Sequence, residues 1–312
     1  MRASIIIPNW NGLTHLPVCL DSLRAQTCRD FETIVVDNAS SDGSPAYLTE
    51  HHPEVRLLAL PENRGFTGAC NAGIAASHGE IVILLNNDTE TDPHWLAEVL
   101  AAFDRYPQAG AVASKMLLFD RRDTLHTAGD LFTRCGLAQN RGVWQPDTDQ
   151  YPEGFVFSAC GGSAAYRRAM LNDVGLLDDA FFFSHEDVDL AWRAHLRGWP
   201  TIYTPRAVVY HKLSASGGGV TASFYDGRNR LWLLAKSVPD CLWRRYWPRF
   251  IRAQLTITRQ ALQHWRGAAS RATLRGQLVG LLTLPRMLAR RRAVQATRTA
   301  STDYLESVLS DC

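Results

Sequence analysis

The chain lacks the cysteine spacing of a zinc knuckle or a redox motif. Its seven cysteines, Cys19, Cys28, Cys70, Cys135, Cys160, Cys241 and Cys312, are odd in number and lie far apart, with no Cys-x-x-Cys pair. That argues against a disulfide framework and a structural zinc site, and for a reducing cytoplasm. No run of 18 apolar residues occurs, so no transmembrane helix is expected. The apolar stretch Ile5-Ile6-Ile7 is too short for a signal-peptide core and reads as a first strand. There is no internal repeat and no long low-complexity tract. Acidic residues are absent from one whole segment: residues 241–302 hold 13 arginines and no aspartate or glutamate. The 240 residues before it hold 20 Lys and Arg against 28 Asp and Glu. These are two chemically different segments. Otherwise the composition is that of an ordinary globular protein, 46% hydrophobic and 21% charged over 312 residues. That suffices for one large domain, or for one domain with an appendage.

Strand and helix signals alternate through the first hundred residues. Residues 3–8 predict a buried strand, ended by Pro8-Asn9-Trp10-Asn11-Gly12. Leu13, Leu16, Leu20 and Leu23 give residues 13–26 an amphipathic helical spacing. Residues 31–36, 55–60 and 80–85 predict further strands, and residues 69–77 a helix. Such alternation implies a parallel sheet with right-handed crossovers. From Ala111 to about Gln150 the pattern loosens into short strands and polar loops. Beyond it, residues 167–174, 186–196 and 225–236 predict helices, and 202–203 and 208–210 short strands. Residues 214–219 form a glycine-rich loop able to close over a substrate.

The most informative stretch is Ile81-Val82-Ile83-Leu84-Leu85-Asn86-Asn87-Asp88. It predicts a buried strand that delivers a carboxylate at its carboxyl end, where open α/β sheets bind ligands. Carboxylate and amide oxygens there suit Mg²⁺ or Mn²⁺. Asp88 is equally suited to cap the helix after Asp92-Pro93. Asp37, with Asn38, Ser40, Ser41 and Asp42, ends the second strand and can accept bonds from a base or a ribose; these are also ordinary turn residues. Asn63-Arg64-Gly65-Phe66-Thr67-Gly68 opens a helix whose N–H groups can face a diphosphate, although it is no Gly-x-Gly-x-x-Gly. In Phe181-Phe182-Phe183-Ser184-His185-Glu186-Asp187-Val188-Asp189 an aromatic wall precedes three acids. Clustered carboxylates beside an apolar wall acquire the raised pKa of a general base. His211 is a candidate metal ligand or a structural histidine, and Arg228 a candidate phosphate partner or a surface charge.

Taken in order, these motifs resemble the family-2 glycosyltransferases of the GT-A fold, in the rhamnosyltransferase-like, non-processive branch. The residues that carry the resemblance are Ile5–Gly12, Val35–Gly43, Asn63–Phe66, Leu84–Asp88, Glu186-Asp187 and His211, across about residues 3–235. It implies a Rossmann-like mixed sheet flanked by helices, a nucleotide-diphospho-sugar donor and an inverting transfer. By the same analogy Asp37 binds the base, and Pro8 and Asn9 line the nucleotide pocket, with Asn63, Gly65, Asn86, Asn87 and Arg228 on the donor. Asp88 holds a divalent Mg²⁺ or Mn²⁺, with His211 as a further ligand. Asp187 is the base for the acceptor hydroxyl, Glu186 tunes it, and Trp192 and Arg193 line the acceptor cleft. One departure stands out: the family's metal motif commonly reads Asp-x-Asp, and here its first position is Asn86, which weakens the expected grip on the metal. The Gln-x-x-Arg-Trp motif of processive synthases is missing.

The expected organisation is a catalytic domain over 1–236, its nucleotide-sugar half about 1–110 and its acceptor half about 111–236, then a basic, mostly helical region over 237–312. The expected activity is transfer of a sugar, with rhamnose among the candidates, to a glycan or lipid-linked acceptor in cell-surface polysaccharide synthesis. The rivals are a catalytically silent sugar-nucleotide-binding or scaffold protein, and a nucleotidyltransferase. The latter usually carries a basic loop after its first strand, and none follows Ile7. The basic region interleaves Trp243, Tyr246, Trp247 and Phe250 with arginines. This suits an anionic membrane surface at the inner face of the cell membrane, or packing on the catalytic domain. No RNA-binding motif accompanies it, so no nucleic-acid partner is expected.

Overall fold

The structure is a computed structural model that describes residues 1–212 and 219–312. The expected lid over 214–219 therefore lies almost wholly outside the described residues. The first half runs β1 (Ala3–Asn9), α1 (Leu16–Arg24), β2 (Phe31–Asp37), α2 (Ser44–His51), β3 (Arg56–Ala59), α3 (Gly65–Ala76), β4 (Ile81–Leu85), β5 (Thr89–Thr91) and α4 (Trp95–Arg105). The middle continues with β6 (Ala111–Leu118), β7 (Arg121–Thr127), β8 (Asp130–Phe132), β9 (Ala138–Asn140), β10 (Gly154–Val156), β11 (Ser163–Arg167), α5 (Arg168–Val174), α6 (Glu186–Leu196) and β12 (Thr201–His211). The remainder is helical: α7 (Val220–Lys236), α8 (Asp240–Gln263), α9 (Ala268–Leu282), α10 (Leu284–Ala296) and α11 (Thr302–Ser307).

The central sheet has the order β10-β12-β6-β11-β4-β1-β2-β3. Strands β1, β2, β3 and β4 pair in parallel, joined by helical crossovers, with the fully apolar β4 and the Ile5-Ile6-Ile7 run of β1 at the buried centre. Strand β11 then enters antiparallel between β4 and β6, which makes the sheet mixed. Ile5 and Ile7 pack on one face with Trp95 and Leu96, and Ile6 packs on the other with Ala69 and Ile74. This is the period-two alternation of a strand buried on both sides.

Two elements differ from expectation for physical reasons. The sequence predicts strand then helix after Asp88, but β5 comes between them and pairs antiparallel with β12, His211 opposite Thr89. Residues 202–203 and 208–210 belong to one strand, β12, whose register shifts between Thr204 and Val208 around Pro205. Proline cannot continue the ladder, so the pattern reads as two fragments.

The cysteine expectation also needs correction. Cys135 and Cys312, 177 positions apart, form a disulfide. Spacing cannot reveal a bond between the β8–β9 turn and Cys312, and the inference of a reducing compartment loses that support. Among the described residues no helix is long and apolar enough to cross a membrane.

Candidate active site

The site lies at the carboxyl ends of β1 and β4, in a cavity of about 640 Å³, a volume that suits a small ligand. Its floor on the donor side is a chain of amides. The Asn87 side chain donates to Asn9 Oδ1 at 2.7 Å, and Asn9 donates to Asp37 Oδ1 at 3.1 Å. The Ser40 amide donates to the other Asp37 oxygen at 3.0 Å. Asp37 is therefore committed to the β1 and β2 loops; it supports Asn9 but does not itself line the cavity. Pro8, Asn9, Asn63, Gly65, Asn86, Asn87 and Asp88 all do. Asn38, which also lines it, donates to Asn63 Oδ1 at 2.9 Å and to the Gly65 carbonyl at 3.1 Å. Gly65 has φ +71°, and a Cβ there would meet Phe182 at 2.5 Å, so glycine is required.

Pairing of β5 with β12 brings Asp88 and His211 together: His211 Nε2 lies 3.2 Å from Asp88 Oδ1 and 3.3 Å from the Asn86 amide. Asp88 Oδ1 is buried and accepts no hydrogen bond. An oxygen without a donor and an imidazole nitrogen thus converge on one point and fit a divalent cation, while the Asn86 group nearest them is its amide nitrogen, which would have to give place to the amide oxygen to join as a ligand. Sequence pattern did not single out His126, whose Nδ1 lies 3.1 Å from His211 Nδ1, with the rings stacked. Burial, then repulsion from His211, push the His126 pKa down to about 3. With a metal on His211 Nε2, the His211 Nδ1–H would need an acceptor, and His126 Nδ1, 3.1 Å away, is placed to be it.

Asp187 and Glu186 start α6 on the same cavity. Asp187 Oδ2 accepts the Gly161 amide at 2.8 Å, and Oδ1 accepts the Val188 amide at 2.7 Å. Burial raises the Asp187 pKa, and these amides hold it back; burial and Asp187 raise that of Glu186 well above the usual range. Between the Asp88–His211 and Glu186–Asp187 pairs lie Gly161 and Gly162. A Cβ on Gly161 would approach Asp187 and Glu186, and one on Gly162 would approach Asn86 and His211. Without side chains, the two glycines leave the space between Asp88 and Asp187 open.

A second residue that the sequence did not flag is Asp130. It accepts from Thr127 at 2.8 Å and Asn140 at 3.0 Å, and donor atoms of Asp130, Cys160 and Asp187 all lie within 4.8 Å of one another. Burial, with the charge of Asp187, raises its pKa to about 8. Cys160 is a half-buried thiol that desolvation pushes well above its ordinary pKa, a poor partner for a hard cation. Asp130 and Cys160 thus form a proton-holding cluster beside Asp187, chemically unlike the Asp88 and His211 pair.

Besides Asp37, expected on the base, three more of the expected residues lie outside the cavity lining. Trp192 is fully buried, edge-on to Phe132 and Phe157, and lines no cleft. Arg193 is bound to Asp189 at 3.0 Å and to the carbonyls of Val174, Gly175 and Leu176. Trp192, five positions after Asp187, is turned to another side of α6, whereas Arg193 lies two turns beyond Glu186 on the same face and is taken up there by Asp189 and the carbonyls of residues 174–176. Arg228 stacks on Trp232 and donates to the carbonyls of Ala180 and Phe181, so it holds a loop and reaches no phosphate.

Comparison with known proteins gives the family and the fold. The family model described as glycosyl transferase family 2 matches residues 4–175. The chain belongs to that family. An N-acetylglucosaminyl-diphospho-decaprenol L-rhamnosyltransferase of Mycobacterium tuberculosis is 30% identical over 247 residues, covering 70% of this chain and 78% of that protein. A pre-mycofactocin glycosyltransferase of the same organism is 27% identical over 97% of this chain and 59% of its own length. Among solved structures, a Pyrobaculum calidifontis mannosyltransferase in complex with GDP-Man and Mn²⁺ superposes with TM-score 0.57 at 18% identity, over 98% of this chain and 83% of that one. S. aureus TarS 1–349 in complex with UDP superposes with TM-score 0.59 at 17% identity, over 95% and 91%. This family-2 transferase has the GT-A fold and is a glycosyltransferase of rhamnosyltransferase-like type.

Proposed function

We propose that this glycosyltransferase moves a sugar, rhamnose in the reading its relative favours, from a nucleotide-diphospho-sugar to a hydroxyl of a glycan or lipid-linked acceptor, with inversion at the anomeric carbon. The observation that carries the proposal is the shared cavity, with Asp88 and His211 on one side of Gly161-Gly162 and Asp187 and Glu186 on the other. The donor nucleotide lies against Pro8, Asn9, Asn38 and Asn63. Asp88 and His211, with Asn86 beside them, hold a Mg²⁺ or Mn²⁺ ion. When bound, the ion supplies the positive charge that stabilises the departing diphosphate. Asp187 accepts the acceptor's hydroxyl proton; the oxygen bonds to the anomeric carbon as the bond to the diphosphate breaks on the opposite face. Glu186, protonated, adds no second negative charge and keeps Asp187 the proton acceptor.

The test is donor turnover and transfer with Asp187→Asn and Asp88→Ala. Asp187→Asn is expected to keep donor affinity within about threefold and to lower kcat by about 10²–10⁴-fold, the range for loss of a general base. Asp88→Ala is expected to lose the Mn²⁺-dependent part of donor binding in calorimetry. Retained turnover in the first variant removes Asp187 as base. Donor binding without turnover in the wild type favours a sugar-nucleotide-binding protein.

A further inference from the structure

The basic region is only half packed. Helix α8 turns Leu242, Tyr246, Phe250 and Ala261 inward. Helix α9 meets α7 at backbone contact: a Cβ on Gly276 would lie 2.1 Å from the Phe224 carbonyl oxygen, and one on Gly227 would lie 2.5 Å from the Thr273 oxygen. The opposite stripe of α8, Trp247, Ile251, Leu255 and Leu262, is open to solvent, at positions i, i+4, i+8 and i+15 of one helical face. Leu278, Leu281 and Leu282 of α9 and Leu288 of α10 are likewise exposed, Leu282 at 72%. Nine of the 14 exposed large apolar side chains among the described residues fall within residues 241–302. A helix that merely solvates a domain surface has polar residues there.

We propose that this open face is the docking surface for an anionic lipid bilayer. Ten of the 13 arginines in 241–302 are exposed, among them Arg244, Arg252 and Arg259 on α8. Leucine and isoleucine enter the acyl boundary, tryptophan sits at headgroup depth, and arginine meets lipid phosphate. A second copy of the chain is a poor occupant, since a two-fold contact sets arginine-rich faces against each other. A nucleic acid satisfies the arginines but leaves the leucines uncovered. The first turns of α7 line the active cavity through Thr221, Ala222, Tyr225 and Asp226, and α7 lies directly on α9. Docking therefore holds the cavity near the lipid plane. The proposal deepens the reading of a lipid-linked acceptor and rests on it only for purpose, because binding to lipid needs neither donor nor acceptor.

The test is co-sedimentation of the full chain with phosphatidylglycerol or phosphatidylcholine vesicles, in low and in high salt. The expected result is binding to the anionic vesicles, at least tenfold weaker binding to the zwitterionic ones, and release by about 0.5 M NaCl, where the Debye length shrinks to roughly 4 Å. Arg244→Glu/Arg252→Glu and, separately, Trp247→Ser/Leu255→Ser are each expected to lose at least tenfold in binding with an unchanged circular dichroism spectrum. Equal binding to both lipids, or anionic binding indifferent to salt, overturns the proposal on the wild type alone. So does self-association in vesicle-free solution that Leu255→Ser abolishes, or tight RNA binding that survives Trp247→Ser/Leu255→Ser while lipid binding is absent. Transfer to a soluble acceptor, measured in parallel, reports separately on the catalytic reading.

Discussion

At the scale of single residues, the active cavity is defined as much by protons withheld as by charges offered. Asp130, with its pKa raised to about 8, keeps a proton in the folded chain at neutral pH, whereas an unfolded aspartate releases it near about 4. Between those values the folded state binds more protons, so this group's contribution to stability falls as pH rises from about 4 to about 8. Asp130→Asn keeps an oxygen for Thr127 and Asn140 and removes the titration. Its thermal midpoint is expected to match the wild type near about pH 4.5 and to exceed it increasingly toward about pH 8, by about 2–4 °C for each kcal/mol recovered. Parallel pH profiles of the two proteins refute the assignment. His126 acts on the other side of the cavity, through His211. His126→Ala is expected to weaken Mn²⁺ affinity about 10–100-fold, the usual effect of removing a residue that orients a ligand, while nucleotide affinity without metal stays unchanged. Isothermal titration of both ligands measures the split. Neither residue stood out in the sequence. Asp88, Asp187 and His211 were legible because each follows an apolar run or an aromatic wall. His126 acquires meaning only from a partner 85 positions away, and Asp130 only from the hairpin that turns it toward Asp187.

At the scale of elements, the loop entering α6 explains why an acid cluster becomes a site. Phe182, Ser184 and His185 all have positive φ, at 64°, 68° and 67°, a strained conformation for side-chain-bearing residues. The strain is held by α7: the Asn229 amide donates to the carbonyls of Phe181, Phe183 and Ser184, and Arg228 donates to those of Ala180 and Phe181. The acids then part company along the helix. Glu186 and Asp187 face the cavity, whereas Asp189 is fully buried against Lys236, Ser237 and Arg193. The helix itself was readable to the residue, since three acids in its first turn suit the helix dipole. The clamp was not: an Arg-Asn pair in a helix carries no mark of the loop it will bind, which is why Arg228 read as a phosphate partner. Asn229→Ala leaves buried carbonyls without a donor. It is expected to cost about 1–3 kcal/mol of stability and to lower kcat at least tenfold with little change in donor affinity. Urea titration and steady-state kinetics test the two halves, and a variant with wild-type kcat shows that the loop keeps its shape without the clamp.

At the scale of the whole molecule, the C-terminal residues return to the hairpin beside the site. Ser310 bridges Thr133 in the backbone, Arg134 pairs with Asp311, and Cys312 is bonded to Cys135 in the β8–β9 turn. The basic helices α8 to α10 are thereby enclosed between α7 and the C-terminal attachment. The parallel pairing of the first strands followed from strand–helix alternation, but this closure could not, because an odd number of scattered cysteines specifies no pairing. The hairpin carries Asp130 and Asn140, so the covalent tie and the proton-holding cluster share one small element. A cross-link spanning 177 positions restricts the unfolded chain far more than the folded one. Its loss is therefore expected to cost about 2–5 kcal/mol with little change in activity at low temperature, since Ser310 and Asp311 still hold the end in place. Urea unfolding with and without reductant separates the possibilities. Wild type is expected to lose stability on reduction, Cys135→Ser to start at the lower value and ignore reductant. A wild type indifferent to reductant shows that the two sulfurs do not constrain the chain, and the C-terminal attachment then rests on the backbone bridge and the Arg134–Asp311 pair alone.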